Sequence, residues 1–291
     1  MRDYVIITDS CCDLNAQEAA ESGLTIIPLT FTVDGKTYRD TPDHADLSLD
    51  AFYRMLRGGA VSVTAAANVG DFTDAMRPAL EQGKDVLCVA FSSALSTTYQ
   101  SGCIAAEGLR EEFPDAKIIV IDSLCASRGQ GMLLWYAAKQ KAAGRTIDEV
   151  ADWVRANIQH QDHWFTVDDL NHLRRGGRLN ATSAIVGTVL SIKPVMHCDA
   201  EGKLTAVSKA RGMKQALTNL VDKMDELGTR PLPDQTVFIC HADAPDSVAF
   251  VKDLLRERFG VTDVRADYIG PVIGSHTGAG TLGLFFFGSE R

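Results

Sequence analysis

The first 160 residues alternate short apolar runs with longer stretches of helical spacing. Tyr4 to Thr8, Leu24 to Val33, Val61 to Ala65, Val86 to Phe91 and Lys117 to Ile121 are β-rich and bounded by Asp, Gly or Ser, which predicts strands. Between them, Leu49 to Leu56, Phe72 to Gln82, Tyr99 to Phe113 and Met132 to Ala143 place apolar side chains at helical intervals. Continuous apolar strands alternating with helices imply a parallel sheet covered on both faces. A further helix over Thr146 to Ile158 opens with a capping box, Thr146 with Glu149, and leads out of this first domain.

The pattern then changes. Trp164 to Val167 and Pro194 to His197 predict strands, and the turn Asp199 to Lys203 predicts a hairpin into Leu204 to Ala210. A helix over Lys214 to Leu227, a strand over Thr236 to Cys240, a helix over Ser247 to Phe259, a strand over Asp263 to Tyr268 and a last Gly-rich helix complete the chain. The expected fold is therefore α/β in two domains. A parallel α/β domain spans 1–160 and an α+β domain with a largely antiparallel sheet spans 161–291, with the boundary near residues 158–163.

A length of 291 residues suits two cores better than one. No apolar run approaches the roughly 20 residues that span a bilayer. The start MRDYVIITDS has too short an apolar stretch for a signal peptide. The expectation is a cytoplasmic protein with no stable membrane insertion. A formal net charge of -9 argues against nucleic acid as a partner, because phosphate neutralisation needs a basic face. The seven cysteines show no CxxC spacing and the seven histidines no HExxH, so buried free thiols, no metal and no cofactor are expected.

In an open parallel sheet, ligands bind past the carboxyl ends of the strands. Asp9-Ser10, Thr64, Ser92 to Thr98 and Asp122-Ser123 are read at such ends, forming a rim of hydroxyls. Each hydroxyl taken singly is more often a helix cap. Thr97 with Gln100 fits a capping box, which would leave the Ser96 hydroxyl free, and Asp9 and Asp122 fit loop-holding roles. Arg174, Arg175 and Arg178 surround Gly176-Gly177, a combination that suits an oxyanion and equally describes a solvated basic loop. His276 precedes a Gly-rich stretch and reads as a local contact, and Phe285 to Phe287 as core filling. Neither a P-loop nor a GxSxG elbow is present. The residues thus favour binding over catalysis. An enzyme acting at the Asp9, Ser10, Asp122 and Ser123 rim with Arg175 (a small-molecule kinase, phosphatase or hydrolase) stays open, as does a sensor for a small polar anion.

Five motifs lie in order along almost the whole chain: VIITDSCCDL, SSALSTTYQS, IDSLCASRGQG, the basic turn around Arg175, and IGPVIGSHTGAGTLGLFF. Together they resemble the DegV family of bacterial fatty-acid-binding proteins. The resemblance implies two domains holding one long-chain fatty acid between them, with the tail in an apolar tunnel and the carboxylate near the domain junction. It also implies a separate ATP-dependent fatty acid kinase that phosphorylates the carboxylate, the chain itself having no ATP site and no catalytic residue. By position, the family's carboxylate-gripping Thr and Ser match Thr64 and Ser96, its basic turn matches Arg175 to Arg178, and its late His matches His276. Three departures bear on the head group: Ala65-Ala66-Ala67 follow Thr64 where the family has Ser-Gln-Pro, Thr97 replaces a glycine, and Ala279 replaces a proline.

Overall fold

The computed structural model describes residues 2–179, 191–289 and 291. The first half runs β1 (Tyr4–Asp9), α1 (Ala16–Glu21), β2 (Leu24–Ile27), β3 (Thr30–Val33), β4 (Lys36–Arg39), α2 (Leu49–Arg57), β5 (Ser62–Ala65), α3 (Val69–Glu81), β6 (Asp85–Ala90), α4 (Thr98–Glu112), β7 (Ile118–Asp122), α5 (Arg128–Ala142) and α6 (Ile147–Asn157). The second half runs β8 (Gln161–Thr166), α7 (Asn171–Arg175), β9 (Ile192–Cys198), β10 (Leu204–Arg211), α8 (Met213–Leu227), β11 (Val237–His241), α9 (Pro245–Phe259), β12 (Val264–Tyr268), α10 (Pro271–Thr277) and β13 (Leu282–Phe287).

Strands β2-β1-β6-β7 form a wholly parallel sheet. Every residue of β6 is buried, as a central parallel strand requires. Strands β10-β9-β8-β13-β11-β12 form a second sheet, antiparallel except for β11 beside β12. The mixed α/β architecture is the one expected, and the Thr146–Glu149 capping box forms at α6. The two faces of β13 divide the core with the two-residue period of a strand. Phe285 joins the cluster that runs from the parallel sheet across to the antiparallel one, while Leu284 and Phe286 pack with α8 and α9.

Three expectations change. The run Leu24 to Val33 is two strands, because Pro28 lacks an N–H and breaks the ladder between β2 and β3. β3 then leaves the parallel sheet and forms a small antiparallel sheet in the order β4-β3-β5. Thr64 therefore sits within an edge strand opposite Phe31, not past the end of a parallel strand. Finally, the last Gly-rich segment is helical only over α10. Gly278 at φ 77° and Gly280 at φ 83° stop it, and the chain returns as β13 between β8 and β11. All seven cysteines are free, and six are buried. Among the described residues, no helix is long and apolar enough to cross a membrane.

Candidate functional site

The carboxylates at the parallel strand ends are engaged by the backbone. Buried Asp9 accepts the N–H groups of Cys11 (3.1 Å) and Phe91 (2.8 Å) and the Gln130 amide (3.3 Å), and so fixes the turn after β1 to the end of β6. Asp122 accepts the N–H groups of Ser93 and Leu124, both at 3.1 Å. Ser10 accepts the Leu29 N–H at 3.1 Å, and Ser92 donates to the Gly202 carbonyl at 2.9 Å. The hydroxyl and carboxylate rim thus holds loops and ties the β9–β10 turn to the first sheet.

Between the two sheets lies a cavity of about 450 Å³. Its wall is mainly apolar: Leu29, Phe91 and Leu95 come from the first half, and Phe165, Ile273 and Phe285 from the second. Cys11, Cys198 and Cys240 also face it, and burial pushes the thiols of Cys198 and Cys240 up to about 12, so they remain protonated. Thr64, Ser96, Arg178 and His276 line the same space.

The local structure explains how these four meet. Val61, just before edge strand β5, and Val63 within it are exposed, while Ser62 and Thr64 turn toward α10. There Ser275 Oγ lies 2.7 Å from Ser62 Oγ, and His276 Nε2 lies 2.8 Å from Thr64 Oγ1. His276 Nδ1 is buried without a partner among the described residues. Burial, aided by the positive charge of Arg178, lowers the His276 pKa to about 4, so the imidazole is neutral near pH 7. The turn after α7 lies directly over this ring, where a Cβ on Gly176 would fall 2.3 Å from His276 Nδ1. Only a glycine fits there without displacement.

The capping box expected at Thr97 does not form; Thr97 makes no side-chain cap. Ser96 instead accepts the Thr98 N–H at 3.3 Å and shares a 2.8 Å hydrogen bond with Thr98 Oγ1. Its hydroxyl is therefore partnered, contrary to the expectation that it stays free, although it still faces the cavity. Of the basic turn, Arg178 reaches the cavity wall, donating from Nε to the Leu95 carbonyl at 3.1 Å and from Nη1 to the Gly176 carbonyl. Arg175 is outside the lining. It is exposed, with a guanidinium nitrogen 3.1 Å from His172 Nδ1. The basic turn thus splits into an inward and an outward arginine. Gly177 at φ 68° turns the chain between them. The cavity thiols and the buried ring of His163, which donates from Nδ1 to the Gln161 carbonyl, carry no local sequence signal that would mark them. Among the described residues, no cluster of His, Cys, Asp and Glu could hold a metal ion.

A family model described as an uncharacterised protein of the DegV family matches residues 3–289. A DegV domain-containing protein of Clostridium perfringens is 41% identical over 291 residues, covering all of this chain and 99% of its own length. Another from Streptococcus pyogenes serotype M3 is 36% identical over 287 residues, covering 99% of both. A DegV lipid-binding protein from Thermotoga maritima superposes with a TM-score of 0.86 at 28% identity, over 99% of both chains. A DegV family protein from Thermus thermophilus, described as binding fatty acid, gives 0.86 at 29% identity over 99% of this chain and all of its own. The chain belongs to the DegV family.

Proposed function

We propose that this chain binds one long-chain fatty acid in the cavity between its sheets, with the carboxylate against Thr64 and Ser96. The observation that carries this reading is a mainly apolar space of about 450 Å³ whose wall includes the Thr64 and Ser96 hydroxyls, the neutral His276 imidazole and the Arg178 guanidinium. An apolar cavity of roughly 150 Å³ accepts one six-carbon ring, which scales here to a chain on the order of 18 carbons. Structures of related proteins agree in kind. Those from Thermus thermophilus and Streptococcus agalactiae are described as fatty-acid-binding, and one from Eubacterium ventriosum, 25% identical, as binding stearic acid. Burying about 14 methylenes is worth on the order of 10 kcal/mol before the costs of association. The tail supplies affinity and the polar groups set its direction.

His276 serves as an acceptor or donor for Thr64 and not as an acid near neutral pH. When Nε2 carries the proton it donates to Thr64 Oγ1, which leaves the threonine hydrogen free to donate to the carboxylate. Thr98 can do the same for Ser96. In this way a buried carboxylate gains hydrogen bonds that offset its desolvation. Arg178 adds positive charge to the same wall. We assign residues 1–160 and 161–291 to the two lobes that clasp the ligand. The protein acts in the cytoplasm, presenting the carboxylate to a separate kinase that forms an acyl-phosphate, and exposed Arg175 is the residue that meets that kinase. Native mass spectrometry followed by denaturing extraction tests the reading. The expected result is one fatty acid per chain; a protein that stays empty when offered long-chain fatty acids overturns it.

A further inference from the structure

A second groove, of about 460 Å³, adjoins the cavity, and the two share Leu29, Ala65 and Ala66 as lining. Leu29 and, directly after Thr64, Ala65 and Ala66 thus border both spaces beside the Thr64 end of the cavity. The groove has a different character. Thr25, Thr30 and Arg39 lie on one bank, and Asn68, Asp71 and Asp74 of the α3 end on the other. Asp71 is engaged in capping α3, accepting the Asn68 N–H at 2.8 Å. Arg39 and Asp74 are exposed; the Arg39 backbone N–H donates to the Asp46 carboxylate at 2.8 Å, Asp74 adds to the field that raises the Arg77 pKa, and neither side chain forms a close ion pair among the described residues. Opposite charges thus line one space without pairing to each other.

We propose that the site also takes monoacyl lipids with a zwitterionic head group, the acyl carbonyl at Thr64 and Ser96 and the head group in the groove between Arg39 and Asp74. The inference rests on the lipid-binding reading and extends it. Hydroxyl donors also grip an uncharged ester carbonyl, at roughly half the strength of their bond to a carboxylate, so the head-group contacts must supply the difference. The head-group phosphate would meet Arg39 and its ammonium Asp74. The test is competition against a fluorescent fatty acid using palmitate, 1-palmitoyl-lysophosphatidylethanolamine, its phosphatidylglycerol counterpart and N-palmitoyl-lysine, with native mass spectrometry for stoichiometry. The ethanolamine lipid should displace the reporter one-to-one. Arg39→Gln with Asp74→Asn should weaken it roughly fivefold while leaving palmitate unchanged. The lysine conjugate shares the anion and ammonium without phosphate, so its binding tells whether charge pairing or the phosphate is read. Palmitate binding with no displacement by either zwitterion overturns the inference and leaves the fatty-acid reading standing. Equal binding of the glycerol lipid, indifferent to both substitutions, overturns it too. A protein that binds neither palmitate nor lysolipid overturns both.

Discussion

Thr64→Val isolates the hydroxyl on which the head-group reading rests, because valine keeps the shape of threonine and removes only its polar atom. Two losses follow. In the free protein, His276 Nε2 loses its 2.8 Å partner while Nδ1 already has none, leaving a largely buried ring without hydrogen bonds. An unpaired buried polar group costs about 1–3 kcal/mol, partly offset by removing the hydroxyl's own desolvation. The melting temperature should therefore fall by only a few degrees, at roughly 2–4 °C per kcal/mol for a domain of this size class. In the complex, a hydrogen bond to a carboxylate is also lost, worth about 1.5–3 kcal/mol. That corresponds to a Kd for palmitate raised roughly 10- to 150-fold. Titration calorimetry with delipidated protein measures the second loss and differential scanning calorimetry the first. Thr64→Ser, which restores the hydroxyl, should recover most of the affinity. Should the valine variant bind palmitate within twofold of wild type while its melting temperature drops, Thr64 merely supports His276 and the carboxylate is held elsewhere.

Other consequences can be checked alongside. Gly176→Ala meets no backbone penalty at φ −72°, yet its Cβ would fall 2.3 Å from His276 Nδ1, so it should cost about 1–3 kcal/mol of stability and displace the ring. Circular dichroism should stay native while palmitate affinity falls about tenfold, and unchanged affinity would mean that the ring position is irrelevant to the ligand. Arg178→Ala should weaken retention of the fatty acid. Arg175→Ala should leave retention within twofold but slow kinase-dependent acyl-phosphate formation, and the reverse pattern would exchange their roles. His276, with a folded pKa of about 4 against an unfolded value near 6.5, favours folding fully only above about pH 6.5. Its contribution is lost as pH falls from about 6.5 to about 4, up to about 3 kcal/mol. Asp13, raised by burial to about 7, runs the opposite way over much of that range, so the whole-protein profile conceals the effect. Urea unfolding of wild type against His276→Asn isolates it. Parallel pH profiles would show that the ring does not titrate as described.

What could be read from sequence is what local chemistry decides. β6 was legible because a central parallel strand is apolar throughout, and α6 because its capping box is complete within four residues. Leu24 to Val33 misleads because its apolar run continues through a proline that ends one sheet and lets the next begin. That same break carries β3, and with it β5, out of the parallel sheet. It is why Thr64 reaches the cavity from an edge strand facing α10, a route that no strand-end argument contains. The family resemblance singled out Thr64, Ser96 and His276 by position, but the contact between Thr64 and His276 joins residues 212 positions apart in the chain. The basic turn shows where motif reading reaches its limit. Three arginines around two glycines suit an oxyanion or a solvated loop alike, and their order alone does not say which one turns inward. Gly176 admits the imidazole beneath the turn, and Gly177, at φ 68°, reverses the chain just after Arg175. Arg178 is therefore delivered to the cavity wall and Arg175 is left in solvent. The glycines choose between the arginines, so a substitution at Gly176 or Gly177 should disturb the site as surely as one at Arg178.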